Sequence, residues 1–134
     1  MKPYQAIGWS LLQTTAITSI VSTRVYHGTR PDGDNVPAIN YYELAGPTRT
    51  KGIESQTFSI NCRAATAGAA RDLARLVVDL FAGDSGGGVY GDQNGFSVAR
   101  ASLQYDNGLI PEPTNGVFNA PVDVMIVYGL ETVS

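Results

Sequence analysis

The chain has 134 residues and a formal net charge of -3, about the length of one domain. Hydrophobic residues make up 43% and charged residues 16%, which excludes a disordered tail, and the acidic balance argues against a dedicated DNA or RNA binder, which would carry a basic stripe. A single cysteine, Cys62, and a single histidine, His27, exclude an intramolecular disulfide and a Cys/His metal cage built by one chain.

Pro3 suits the first turn of a helix, where its missing N–H is unpaired anyway. Ile7, Leu11 and Leu12 follow at helical spacing, with Trp9 on an adjacent face. Thr14-Thr15 interrupts this pattern, and Thr15 is expected to cap a second short helix over 16–21. Residues 24–27 read as a short strand, and "GTRPDGDNVP" after it has strong loop chemistry. No apolar run reaches the length of a signal peptide or a membrane span, so the expectation is a soluble, reduced, cytosolic product.

The β-forming run "AINYYEL" predicts a strand over 38–44, with Tyr41 and Tyr42 on opposite faces. "AGPTRTKG" breaks it and reads as a long hairpin loop over 45–52. Phe58, Ile60 and Cys62 then alternate with Thr57, Ser59 and Asn61, the mark of a strand with one buried face and Cys62 turned into the core. Thr66 is placed to cap the next helix. Its residues Ala70, Leu73, Ala74, Val77 and Phe81 form one apolar stripe, Arg75 and Asp79 are spaced to pair on the outer face, and Gly83 stands at the C-terminal cap. Ala99, Ala101, Leu103 and Tyr105 alternate along a fourth strand. "DNGLIPEPTNG" is a long turn, and Val122, Val124, Ile126 and Tyr128 alternate in a last strand. These elements specify one α+β domain over 1–134, with a single mostly antiparallel or mixed sheet of four to five strands and helices packed on one face.

"GDSGG" at 83–87 matches the pentapeptide around the nucleophilic serine of trypsin-like proteases, and chain order allows a triad of His27, Asp32 or Asp34, and Ser85. That motif belongs to an all-β fold needing roughly 200–250 residues, whereas here an amphipathic helix runs directly into it. A run of three glycines, Gly86 to Gly88, is a poor source of the rigid N–H donors of an oxyanion hole. The stretch reads as a surface loop. No Gly-Lys-Ser/Thr follows it, so it is not a P-loop, and Tyr41-Tyr42 lacks the basic neighbours of a stacking platform.

The order of elements is more informative. Arg24-Val25-Tyr26 follows a short helix; Pro37, Ile39 and Tyr41 follow a proline-bounded loop; Ile60, Asn61 and Ala64 end a strand; and a helix rich in Ala, Leu and Val holds Ala70, Leu73, Ala74 and Leu80. From about Thr15 to Gly83 this order resembles the tail terminator (tail completion) family of long-tailed bacteriophages. Ser22, where relatives often have glycine, and the long glycine run are departures. The resemblance implies a non-enzymatic, cofactor-free virion protein of the tail and neck, made in the host cytoplasm. It implies a homo-oligomeric ring, usually a hexamer, that caps the head-proximal end of the tail tube, stops its polymerisation and presents a surface to the neck (head-completion) protein. DNA would pass through the lumen without specific binding, and no membrane is involved. Arg49 and Lys51, cations in an otherwise acidic chain, are the candidate contacts to the tail tube protein. Another neck ring protein, such as a head-completion adaptor, and a small serine hydrolase using the Ser85 loop are the alternative readings.

Ser85→Ala should leave folding and infectivity unchanged; covalent labelling of Ser85 by a fluorophosphonate would reinstate the hydrolase.

Overall fold

Two strands of twelve residues each, β4 (Ile53–Ala64) and β9 (Phe118–Gly129), pair antiparallel along their whole length, from Ile53 opposite Gly129 to Ala64 opposite Phe118. The computed structural model describes residues 3–28, 37–44, 48–50, 53–82, 91–93, 96–98, 100–106, 110–111 and 118–129. The remaining described strands are β1 (Val25–His27), β2 (Ala38–Glu43), β3 (Thr48–Thr50), β5 (Gly91–Gln93), β6 (Phe96–Val98), β7 (Arg100–Asp106) and β8 (Ile110–Pro111). The main sheet runs β1-β2-β4-β9-β7, with β3 extending the β2 edge of β4 and β8 extending the β7 edge of β9. β1 and β2 are parallel and the other pairings are antiparallel, so the sheet is mixed; β5 and β6 form a separate hairpin.

Three helices, α1 (Pro3–Gln13), α2 (Thr15–Val21) and α3 (Ala67–Ala82), cover one face. α3 packs over β4, β9 and β7, while α1 rests on α2 and β1. The α3 stripe forecast by its spacing is the buried one: Ala70, Leu73, Ala74, Val77 and Phe81 meet Phe58, Ile60 and Cys62 of β4 and Ala120, Val122, Val124 and Ile126 of β9 in a single core. Thr66 caps this helix, its Oγ1 accepting from the Ala69 N–H at 3.2 Å. A 16-residue helix is about 24 Å long, and a 12-residue strand is about 40 Å long. α3 therefore cannot cover the whole ladder. Beyond Phe58 the core-side row of β4 turns polar, with Gln56 and Glu54 still buried and Tyr128 donating its hydroxyl proton to the Glu54 carboxylate.

Local sequence choices shape this layer. Gly8 lets α1 lie directly on Tyr41, since a Cβ there would stand 2.5 Å from the Tyr41 hydroxyl oxygen. Arg24 ties three segments together: Nε donates to the Pro37 carbonyl at 2.8 Å, Nη2 donates to the Ile20 carbonyl at 3.4 Å, and its own carbonyl accepts from the Ile39 N–H. One side chain thus closes the end of α2 and the two stems of the 28–37 connection. Tyr41 is buried and Tyr42 exposed, as alternation requires.

Several expectations need correction. Thr15 is not the cap of α2 but its first helical residue; Thr14 takes the N-cap position, with its hydroxyl donating back to the Ser10 carbonyl rather than capping. The 45–52 segment is not an unpaired loop, because Thr48–Thr50 ladders onto β4; flanking Gly46-Pro47 and Gly52 masked a short β-branched Thr-Arg-Thr run. The long turn after Asp106 likewise contributes Ile110–Pro111 to the sheet. β4 is buried on both faces at Ser59 and Asn61. A register shift between Leu103 and Tyr105 sets Tyr105 opposite Asp123, out of phase with Leu103 opposite Val124, so the alternation in β7 does not mark one continuous face. Arg75 and Asp79 are both exposed and do not close to an ion pair. Gly83, the glycine run and Ala99 lie outside the described residues.

Ser22 closes α2 with its N–H donating to the Thr18 carbonyl, at φ 56° and ψ -121°, the only positive φ of a non-glycine residue among the described ones. That conformation disfavours any Cβ. Ser22→Gly should raise stability by about 1 kcal/mol, the relieved strain outweighing glycine's extra chain entropy, read as a higher urea midpoint with an unchanged slope.

Candidate functional site

The face of the sheet opposite the helices is built from the residues that alternate with the core row. Asn40 and Tyr42 of β2 stand opposite Asn61 and Ser59 of β4, which in turn stand opposite Pro121 and Asp123 of β9. Tyr42, Leu44, Ser59, Asn61, Asn119, Pro121 and Asp123 line an open depression of 520 Å³ on this face. Among the described residues, Pro121 has a ladder partner on its β4 edge alone, between the stretches of β9 paired with β8 and with β7. A residue without an N–H is tolerated best at such a break.

Asn119 Nδ2 donates to Asn61 Oδ1 at 2.8 Å, which leaves Asn61 Nδ2 and Asn119 Oδ1 buried without a partner. Exchanging the nitrogen and oxygen of both amides reverses the bond but leaves the same remainder, one donor group and one acceptor. Asn40 donates to the Gly28 carbonyl at 3.1 Å, and its Oδ1 is likewise without a partner. Three asparagines on one sheet face contradict β-propensity, and buried amides with open valences hold an unmet hydrogen-bonding demand. Beside them the exposed Tyr42 and Leu44 form an apolar rim, and the exposed Ile53 lies on the same face at the far end of β4.

Of the residues the sequence singled out, Arg49 lies in β3, opposite Glu54 in the ladder, while Lys51 lies outside the described residues. Asp32, Asp34 and Ser85 are also outside them. His27 sits at the exposed end of β1, its Nε2 2.5 Å from Glu43 Oε1 and its ring 5.3 Å from that of Tyr41, so the imidazole clasps β1 to β2. Cys62 is fully buried in the core row. Among the described residues no three of His, Cys, Asp and Glu converge as a metal site would require, and no helix is long and apolar enough to cross a membrane. The Asn61–Asn119 pair was not foreseen. Its one sequence signal was an asparagine inside a strong strand pattern, and its partner is 58 residues away.

No family model and no curated protein matches the chain. A solved structure is similar: a chain in the virion of a native gene transfer agent particle, with a TM-score of 0.66 over 94% of this chain and 90% of that one, at 13% identity. The two chains share a fold. At that identity the likeness reaches the arrangement of elements and not the individual side chains.

Asn119→Val alone should cost about 1–3 kcal/mol, because it strands a buried Asn61 amide. The double variant Asn61→Val with Asn119→Val should recover most of that loss, since it removes both ends of the bond. A double-mutant cycle of chemical denaturation curves reads the difference.

Proposed function

We propose that this chain is a structural virion protein, the subunit of a ring that caps the head-proximal end of a phage tail tube. The observation that carries the reading is the fold shared with a virion chain along nearly the full length of both proteins. The order of elements from Thr15 to Gly83 supports the finer assignment to a tail terminator. The ring is a homo-oligomer, with six subunits as the expected number, and its other contacts are the tail tube protein on one side and the neck protein on the other. Its task is mechanical. It stops addition of tube subunits and offers the neck a surface, so it needs a rigid body and docking edges rather than a reacting group. The lumen would let DNA pass without holding it, in keeping with an acidic chain.

The β3–β4 hairpin is the docking arm in this reading. β3 fixes the backbone of Arg49 against β4, so the arm is preorganised, and preorganised elements lose less entropy on binding than free loops. Arg49 and Lys51 would meet acidic groups on the last ring of tube subunits, with an effect mainly on encounter rate and salt dependence.

Arg49→Glu combined with Lys51→Glu should leave the isolated protein folded but produce tails that overgrow or fail to join heads. Electron microscopy of the particles reads the outcome. Tails of normal length on infectious virions would remove the hairpin from the docking surface, and capsids that lose DNA beside normal tails would favour a head-completion role.

A further inference from the structure

The outward surfaces of the helices differ in charge. α3 exposes Arg71, Asp72, Arg75 and Asp79, as a solvated helix does. α1 and α2, with sequences PYQAIGWSLLQ and TAITSIV, carry no charged residue at all. Their exposed positions include Gln5, Leu12, Gln13, Thr15, Ala16 and Ser19. Loss of charge with retained apolar and amide groups is the composition of an interface core. Leu12 is 40% exposed at the end of α1, directly before the exposed Gln13. The other exposed large hydrophobic residues among the described ones, Tyr42, Leu44 and Ile53, are on the helix-free face.

We propose that the charge-free outer surface of α1–α2 in one copy of this chain packs on the helix-free sheet face of the next copy. Leu12 meets the Tyr42–Leu44 rim, and the Gln13 carboxamide enters the depression lined by Asn61 and Asn119. The proposal rests on the ring reading and names the surfaces that build the ring. A second copy fits for three reasons. The two surfaces lie on opposite sides of the sheet, so their contact is head-to-tail, the type that propagates around a ring. A glutamine amide both donates and accepts, which matches the donor and acceptor left over by the Asn61–Asn119 pair. Asp123 is the charged residue lining the depression, and an uncharged helix meets it without like-charge repulsion. The unpartnered atoms of Asn61 and Asn119 are covered in the isolated chain, so the proposed contact requires the two amides to rotate toward the depression.

The test uses the full-length protein in sedimentation velocity and light scattering over a concentration series. Wild type should assemble. Leu12→Asp and Leu44→Asp, both at exposed positions, should each weaken assembly at least tenfold with unchanged circular dichroism. Under oxidation, a mixture of the single variants Gln13→Cys and Leu44→Cys should form an inter-chain disulfide that neither variant forms alone. Assembly that survives both aspartates, or a disulfide that forms within the Leu44→Cys variant by itself, would overturn the proposal while leaving the ring reading intact. A wild-type protein that stays monomeric at every concentration would sink the ring reading, and the proposal with it.

Discussion

The register of β4 against β9 positions the main sheet and the core that the helices build on it. The twelve rungs from Ile53–Gly129 to Ala64–Phe118 contain no slip. A shift of one residue would carry Phe58, Ile60 and Cys62 to the opposite face and put Ser59 and Asn61 under α3. The apolar row prevents this, because burying those two polar side chains against Phe81 and Leu73 would leave them without partners in a dry core. The ladder also sets both edges. β2 and β3 line up end to end along β4, and β8 and β7 do the same along β9. One long ribbon therefore serves as the spine onto which short strands are added.

The two faces of this spine follow different rules. The helix side is a single apolar core, closed by α3 and extended by α1 and α2. Its fine adjustment is steric, as at Gly8, where α1 touches the Tyr41 hydroxyl. The other face carries none of the described helices and presents a row of amides with an apolar rim. An isolated chain gains nothing from the leftover valences of Asn61 and Asn119. They become favourable only when something supplies the missing partners, which suits a subunit whose native state is an assembly. The exterior of α1–α2 carries no charge and is the surface proposed to meet it, whereas α3 keeps ordinary solvent-facing charges.

The residues that carry the family resemblance have concrete structural duties. Arg24 donates a hydrogen bond to the Pro37 carbonyl, and Ile39 is held in β2 by its N–H donating to the Arg24 carbonyl. Ser22 occupies a backbone conformation suited to glycine. Asn61, one polar position among several in the alternation of β4, forms the amide pair with Asn119. A pattern of element order can therefore point to a fold without any one residue being diagnostic, because each position answers a local geometric need.

The elements that depend on short-range periodicity are legible along the chain. The α3 stripe from Ala70 to Phe81, the Thr66 cap, the buried phase of Phe58, Ile60 and Cys62, and the opposed rings of Tyr41 and Tyr42 all follow from spacings of a few residues, and so does the α+β class. Tertiary structure decided what depends on partners far away in the chain. Thr48–Thr50 and Ile110–Pro111 are strands because β4 and β9 offer them edges to pair with; the short Thr-Arg-Thr run between Gly46-Pro47 and Gly52 does not announce a strand by itself. Tyr105 leaves the phase of Leu103 because of a shift against β9 that no pattern in β7 records. The depression on the helix-free face exists because pairing across 58 residues brings Asn119 beside Asn61. Periodicity is a local property of the chain and can be read along it, whereas an edge, a bulge and an amide pair exist only once the ladder has formed.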